Sequence, residues 1–236
     1  MAEKNKELNR MIQSVAIYNL HFATTKEQKE LLQKILLAMQ VVDRKFFVSS
    51  ELCYEDTALA IGGGQTISQP STVARALMLA ELKKNDSVLE IGAGSGWNAC
   101  LIAFLVSTGS VISIDRIVSI VKNAERNVEN FKKNISKNER IKFSKIKFCI
   151  DDIFSKSEIW KRKYDKIIFT AGIDDNETEK AVFGVAENLL KKGGILVCPY
   201  SAGPMLVLRK NKKTGKIEIT KTSEEYVFVP LLKGIE

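Results

Sequence analysis

The chain has 236 residues, a formal net charge of +8 and 45% hydrophobic residues, a composition typical of a soluble globular protein with one sizeable core. No apolar run reaches the roughly 18 residues that a membrane-spanning helix needs, and the charged N-terminus lacks the apolar stretch of a secretory signal, so we expect a cytoplasmic protein without membrane contacts. Four separated cysteines and one histidine argue against a zinc site and a histidine-dependent nucleophile, so we predict free thiols and no bound metal.

Apolar residues at three- and four-residue spacing predict two N-terminal helices, over residues 3–20 and 25–42. The stretch 51–69 is rich in glycine and lacks periodicity, so we predict an irregular segment there. Pro70 stands ahead of the first turn of a further helix, which is predicted to begin near Ser71.

From residue 87 onward, short apolar segments alternate with helical patterns, which predicts a mainly parallel sheet covered on both faces. Predicted strands cover 87–92, 110–115, 145–152, 164–172 and 194–200, with helices at 97–106, 117–134 and 178–190. Two strand-like runs in 204–222 and one in 225–232 have no helices between them, so we expect an antiparallel section on the same sheet. We predict one compact domain, in which residues 1–70 form N-terminal helices and a cover segment, and residues 71–236 a doubly wound, Rossmann-like α/β core.

A glycine loop, Gly92, Gly94 and Gly96, follows the first of these strands and precedes a helix. Glycine permits positive φ and close approach of a ligand to the backbone, and the N-terminus of the helix favours an anionic group. The dinucleotide fingerprint would need glycine where Trp97 stands, so it does not fit. The GxGxG spacing with the acid Glu90 instead matches the first motif of methyltransferases that use S-adenosyl-L-methionine.

Three carboxylates lie at the ends of the following strands. Asp115 ends the second strand, 19 residues after Gly96, where a carboxylate can accept hydrogen bonds from both ribose hydroxyls of the cofactor. Asp151 and Asp152 end the third strand, where a side chain can bond the adenine amino group. Each acid alone could be a helix cap or turn residue, as Asp152 especially could. Their shared place at the carboxyl ends of strands favours a ligand crevice.

Four blocks of the sequence resemble the protein-L-isoaspartate (D-aspartate) O-methyltransferase family. They are "RKFFV" (44–48), "YEDTALAIGGGQTISQP" (54–70), "VLEIGAGSGWNACLIA" (88–103) and "VFVPLL" (227–232), and the likeness spans roughly residues 32–233. The glycine loop alone would fit any class I methyltransferase, whereas the "GQTIS" segment is specific to this family. The resemblance implies the class I S-adenosylmethionine-dependent fold, a monomer, and protein repair by methylation of the α-carboxylate of L-isoaspartyl residues in damaged proteins and peptides.

The resemblance also implies roles for individual residues, with S-adenosyl-L-methionine as the cofactor and S-adenosyl-L-homocysteine as its product. Ser68 matches the active-site serine of the family, and Thr66 offers a second hydroxyl to the acceptor. The cofactor contacts implied by the motifs are Gln65, Thr66, Ile67, Ser68, Glu90, Gly92, Gly94, Ser95, Gly96, Asp115, Arg116, Asp151 and Asp152. A carboxylate acceptor is ionised at pH 7, so no general base is required.

Two alternatives remain open. The +8 charge, with nine Lys or Arg against three Glu in residues 122–147, suggests a nucleic-acid methyltransferase. However, "TAGIDD" stands where amino-methylating members carry Asn/Asp-Pro-Pro-aromatic, and Cys198 fits a core strand better than a nucleophile, so we disfavour a nucleic-acid partner. The third motif, commonly Gly-Asp-Gly in the family, is Ile150-Asp151-Asp152 here, which keeps open a non-catalytic protein that binds the cofactor.

Overall fold

The computed structural model describes residues 2–135, 141–155 and 157–236, so part of the basic stretch noted above, residues 136–140, lies outside the described residues. The helices are α1 (Ala2–Leu20), α2 (Lys26–Val41), α3 (Pro70–Ala80), α4 (Trp97–Leu105), α5 (Val118–Ile135) and α6 (Asn176–Leu189). The strands are β1 (Leu59–Gly62), β2 (Gln65–Ile67), β3 (Ser87–Ile91), β4 (Ser110–Asp115), β5 (Lys145–Ile150), β6 (Tyr164–Phe169), β7 (Leu190–Pro199), β8 (Ala202–Gly203), β9 (Met205–Lys210), β10 (Ile217–Lys221) and β11 (Tyr226–Val227). Within the described ranges, no helix combines the length and apolarity that crossing a membrane requires.

The central sheet has seven strands in the order β10-β9-β7-β6-β3-β4-β5. The strands β3 to β7 are parallel, while β9 runs antiparallel to β7 and β10 antiparallel to β9. The predicted α/β class, with a mostly parallel sheet and antiparallel C-terminal strands, is therefore confirmed. The chain moves outward from β3 through β4 to β5 and then returns to β6 on the other side of β3. This reversal of strand order opens a crevice at the carboxyl ends of the strands.

Two apolar layers cover the sheet, and consecutive strand residues point into opposite layers. Val88 packs with α1, α2, α3 and α4 in one cluster, whereas Leu89 packs with α6 in the other. A strand buried on both faces shows the near-continuous apolar run from which β3 was predicted. The N-terminal helices share the first cluster with α3 and α4. All four cysteines are free thiols, of which Cys149 is half-buried and the other three are buried.

Two predicted segments differ from the structure. Residues 51–69, predicted as irregular, contain the antiparallel hairpin β1–β2, which turns through three glycines with positive φ, Gly62, Gly63 and Gly64. The strand-like run 225–232 contributes only β11, which pairs with the two-residue β8 and does not extend the central sheet. The hairpin escaped prediction because its pairing depends on glycine φ values rather than on apolar alternation.

Arg44 fixes the segment that carries the hairpin. Its guanidinium is fully buried, with Nη1 donating to the carbonyl oxygens of Cys53 (3.0 Å) and Glu55 (3.1 Å). Nη2 donates to the carbonyl oxygens of Thr57 (2.8 Å) and Ser68 (3.2 Å). Burial lowers the pKa of Arg44 to about 10, so the side chain stays charged at neutral pH. One cation therefore ties both ends of the hairpin segment to the turn after α2.

Replacing Arg44 with methionine is expected to lower the free energy of unfolding by about 3 kcal/mol or more, because four backbone carbonyls lose a charged donor. Urea unfolding followed by circular dichroism measures the change. Lys45→Met is the matched control, since Lys45 is half-exposed, pairs with Asp43 at the surface and lies over the ring of Phe46, and we expect a loss below about 1 kcal/mol. Equal stability of the two variants would contradict the role of Arg44.

Candidate active site

A cleft with about 630 Å³ of empty space lies at the carboxyl ends of β3, β4, β5 and β6, and we call it the main cleft. Eight of the predicted site residues line it: Gln65, Thr66, Gly92, Gly94, Asp115, Arg116, Asp151 and Asp152. Apolar side chains complete its walls, among them Ile117, Ile153 and Leu231. The cleft thus combines acidic groups with apolar walls.

A smaller cavity of about 320 Å³, the side cavity, lies next to the main cleft. The two share Thr66, Gly92, Gly94 and Thr170 in their linings, so they are adjoining parts of one site. Of these two spaces, the predicted residues Ile67, Ser68 and Ser95 line the side cavity and not the main cleft. The strand β2 and the residue after it are therefore divided between the two spaces, with Gln65 at the main cleft and Ser68 at the side cavity.

The glycine loop after β3 has a conformation that requires glycine. Gly92 and Gly94 have φ values of 101° and 51°, and a Cβ at Gly92 would lie 2.1 Å from Thr170 Oγ1. The Thr170 hydroxyl instead donates to the carbonyl oxygen of Gly92 (2.6 Å). Gly96 lies outside both linings, where a Cβ would come within 3.1 Å of the carbonyl oxygen of Ala124 in α5. Gly96 thus allows close packing of α4 and α5.

Asp115 holds the glycine loop from the neighbouring strand. Its Oδ2 accepts a hydrogen bond from Gly94 N (3.1 Å), and its Oδ1 accepts one from Ile117 N (3.1 Å). A carboxylate has about four acceptor positions, so both oxygens keep capacity for a ligand. Asp115 therefore fixes the glycine loop and can still accept hydrogen bonds from a ligand in the main cleft.

The other acids at the strand ends are engaged by nearby chain segments. Asp151 is buried and accepts from the hydroxyl of Ser157, while Asp152 Oδ1 accepts from Phe154 N (2.7 Å). Asp152 Oδ2 accepts from Gly234 N (2.8 Å). The bond from Phe154 N agrees with the alternative that Asp152 is a turn residue. The bond from Gly234 N shows that its second oxygen also anchors the C-terminal segment.

Residues 229–232 of the C-terminal segment form one wall of the main cleft, a role that the sequence did not reveal. Leu231 N donates to the carbonyl oxygen of Gly172 (2.8 Å), next to β6. Arg116 donates to the carbonyl oxygen of Gly234 (3.0 Å) and to the carboxylate of Glu236 (2.9 Å). The side chain of Arg116, predicted as a cofactor contact, is therefore occupied in holding this wall.

Glu90 lies beneath the glycine loop, outside the linings of both cavities. It is fully buried and accepts hydrogen bonds from Asn98 Nδ2 (2.8 Å) and from the hydroxyl of Ser113. Burial raises the pKa of Glu90 to about 8, and the nearby charge of Asp115 adds to the rise. Glu90 is thus placed to support the site from below.

The stability of the fold should depend on pH through Glu90. Its pKa is higher in the folded chain, about 8, than the ordinary value of 4.5, so folding binds a proton between these values. The stabilising contribution is present below about pH 4.5 and is lost as pH rises through about 8. We therefore expect Glu90→Gln, which stays neutral, to gain stability relative to the wild type between about pH 5 and pH 9. Thermal unfolding across this range measures the difference, and a constant difference would contradict the buried titration.

The comparisons with known proteins agree with this architecture. Residues 19–236 match the family model described as protein-L-isoaspartate(D-aspartate) O-methyltransferase (PCMT). The chain belongs to this family. A protein-L-isoaspartate O-methyltransferase of Ignicoccus hospitalis is 37% identical over 244 residues, which cover 99% of each chain. A relative of the same name from Pyrococcus abyssi is 36% identical over 87% of this chain and 86% of its own length.

A solved structure with the PCMT fold extends the likeness to three dimensions. It is described as a protein-L-isoaspartate O-methyltransferase from Plasmodium falciparum in complex with S-adenosyl-L-homocysteine, and it has a TM-score of 0.70 at 23% identity. The alignment covers 89% of this chain and all of that one. The class I methyltransferase fold and the resemblance to the PCMT family are both confirmed. The family match also extends further toward both termini than the predicted span 32–233.

Sequence reasoning missed several residues of this PCMT-family site. Thr170, at the end of β6, lines both cavities, and Asn98, in the first turn of α4, lines the side cavity. Asn98 lies inside the quoted block 88–103, and Thr170 lies inside the predicted strand 164–172. A polar residue at the carboxyl end of β6 is the signal that could have found Thr170.

Proposed function

We propose that this protein transfers the methyl group of S-adenosyl-L-methionine to the α-carboxylate of L-isoaspartyl residues in damaged proteins and peptides. The observation that carries the proposal is the position of β2, in which Thr66 lines both the main cleft and the side cavity and after which Ser68 lines the side cavity. An acid-lined cleft and a hydroxyl-lined cavity thus join at the segment that is specific to the PCMT family. Membership of that family supports the reaction and the acceptor.

The residues of the main cleft fit the cofactor. Asp115 is the residue proposed for the two ribose hydroxyls, and Asp151 or Asp152 for the adenine amino group. Gly92 and Gly94 let the backbone approach the ligand, since a side chain at Gly92 would collide with Thr170. Gln65 and Ile67 belong to the hairpin strand that covers this junction. When bound, the cofactor supplies an electrophilic methyl group on a sulfonium centre.

Thr66 and Ser68, the residues proposed to bind the methyl acceptor, act by positioning it and not by acid–base chemistry. The hydroxyls of Thr66 and Ser68 can donate to an acceptor carboxylate without neutralising it, which preserves the nucleophile. Aligning the carboxylate oxygen with the methyl group can contribute about 7 to 11 kcal/mol. Arg44 supports this alignment because it binds the carbonyl oxygen of Ser68. The methyl ester would leave the enzyme, cyclise to a succinimide and return part of the residue to normal aspartate on hydrolysis.

We further propose that the protein acts as a monomer in the cytoplasm, with isoaspartyl proteins as its partners and no nucleic-acid substrate. The resemblance to the PCMT family supports this proposal. The rival role as a nucleic-acid methyltransferase depends on the net charge of +8 alone. Net charge affects non-specific attraction and does not specify a substrate.

A methyl-transfer assay with labelled cofactor tests the proposal. The acceptors are an isoaspartyl peptide, the aspartyl peptide of the same sequence, and tRNA. We expect label on the isoaspartyl peptide alone, released by mild base as a methyl ester should be. Label on tRNA, or no label on any acceptor despite measurable binding of S-adenosyl-L-homocysteine, would contradict the proposed function.

A further inference from the structure

The side-chain amide of Asn98 has two polar atoms, and only one of them is hydrogen-bonded to a described residue. Its Nδ2 donates to Glu90 (2.8 Å), whereas its Oδ1 is buried and has no hydrogen-bond partner among the described residues. The residue lines the side cavity together with Thr66 and Ser68. Buried polar atoms are nearly always paired, so an unpaired acceptor at a cavity wall indicates a donor on the ligand.

The contacts of Glu90 determine which way the amide of Asn98 points. The second carboxylate oxygen of Glu90 is already bonded to the hydroxyl of Ser113. Because the hydroxyl can donate or accept, Glu90 receives the Asn98 amide nitrogen in either protonation state. The carbonyl oxygen of Asn98 is therefore left without a partner among the described residues, in a side chain that lines the side cavity, and it can only accept a hydrogen bond.

Only some ligand groups suit such an acceptor. A carbonyl oxygen repels a carboxylate, so it suits neither the acceptor carboxylate nor the carboxylate of the cofactor's methionine end. A cationic amino group is the matching donor, and charge-assisted hydrogen bonds are the strong ones. The side cavity shares Gly92 and Gly94 with the main cleft, so a ligand whose nucleoside occupies the main cleft can extend past the glycine loop toward Asn98.

We propose that Asn98 Oδ1 accepts a hydrogen bond from the α-ammonium group of the cofactor, and that Glu90 is the positioning residue that holds the amide in this orientation. The inference rests on the proposed cofactor. Asn98 would make the site prefer ligands that carry the α-amino group over ligands that lack it. It also gives the buried Glu90 a role, since its negative charge lies directly behind the amide that faces the cation.

Binding should be linked to a proton at Glu90. Burial and the neighbouring Asp115 raise the pKa of Glu90 to about 8. Burial also raises the pKa of the Cys100 thiol in α4, and the charge of Glu90 adds to that rise. A cation bound at Asn98 favours the ionised carboxylate, so ligand binding near pH 7 should release a proton from Glu90. Calorimetry in buffers of different ionisation enthalpy measures this release. We expect it to disappear in Glu90→Gln, and an unchanged release there would overturn the positioning role.

The main test compares S-adenosyl-L-homocysteine with its analogue that carries hydrogen in place of the α-amino group. Calorimetric binding needs no methyl acceptor, so it is independent of the substrate proposed above. We expect the wild type to prefer S-adenosyl-L-homocysteine at least about tenfold, and Asn98→Ala to lose this preference by weakening that ligand alone. Asn98→Asp, which keeps an acceptor oxygen, should retain the preference.

Ser144→Ala is the matched control, because the buried hydroxyl of Ser144 also lacks a partner among the described residues but lies outside both cavities. It should leave the preference unchanged. If Asn98→Ala does not fold, Asn98→Leu, which is closer in volume, serves the same measurement. If Asn98→Ala weakens the binding of both ligands equally, or leaves the preference undiminished, the proposed role of Asn98 is overturned and the proposed function is not. Failure of the wild type to bind S-adenosyl-L-homocysteine would instead overturn the proposed function.

Discussion

Replacing Asp115 with alanine is expected to weaken binding of S-adenosyl-L-homocysteine by about 100-fold or more. Two hydrogen bonds from ribose hydroxyls to a carboxylate contribute roughly 1.5 to 3 kcal/mol each, and every 1.4 kcal/mol is about tenfold in affinity. The variant also loses the bond from Gly94 N to Asp115 Oδ2, which fixes the glycine loop beside the cleft. Isothermal titration calorimetry measures the change directly.

Two companion variants separate the causes of this loss. Asp115→Asn keeps one carbonyl oxygen and the size of the side chain, so we expect an intermediate affinity. Asp174→Ala removes an exposed carboxylate that lies outside the main cleft and bonds to Ser201, and it should bind the ligand like the wild type. An Asp115→Ala variant with wild-type affinity would exclude the ribose role.

Replacing Ser68 with alanine is expected to lower kcat on an isoaspartyl peptide by about 10- to 100-fold, because a hydroxyl bond to a charged acceptor is worth roughly 1.5 to 3 kcal/mol. The dissociation constant of S-adenosyl-L-homocysteine should change by less than about threefold, since the role proposed for the Ser68 hydroxyl is to hold the acceptor carboxylate, which this measurement lacks. Steady-state kinetics and calorimetry on the same preparation measure both quantities.

Ser71→Ala is a close control for this experiment. Ser71 is also buried, lies three residues further on in α3, and its hydroxyl has no hydrogen-bond partner among the described residues. We expect it to keep both kcat and ligand affinity. If Ser68→Ala instead weakened cofactor binding as much as turnover, Ser68 would be part of the cover and not of the acceptor site.

The sequence predicted the elements whose signal is local. The strand β4 occupies the predicted residues 110–115, and α5 begins and ends one residue later than predicted. A buried parallel strand forms a short apolar run, and an amphipathic helix shows its period over several turns, so both are visible without knowledge of the fold. The glycine loop and the acids at the strand ends are equally local, which is why one sheet edge brings Gly92 and Asp115 together.

The sequence did not predict features that depend on distant partners. Arg44 bonds carbonyl oxygens 9 to 24 residues away, and no local pattern shows which carbonyls a buried guanidinium will meet. Residues 225–232 have strand-like alternation, but the last four of them line the main cleft, where the backbone of Gly172 is hydrogen-bonded to Val229 and Leu231. The unpaired oxygen of Asn98 also depends on a contact that the sequence does not show, the hydrogen bond from its amide nitrogen to Glu90.

The proposed repair activity is tested most directly by following one synthetic peptide in its isoaspartyl and aspartyl forms. Each form is incubated with the protein and S-adenosyl-L-methionine, and methyl ester, succinimide and both peptide isomers are separated by chromatography over time. We expect methyl ester from the isoaspartyl form only, followed by succinimide and a growing fraction of the aspartyl form. Similar kcat/KM values for the two forms, or no ester from the isoaspartyl form, would contradict methylation at isoaspartyl residues.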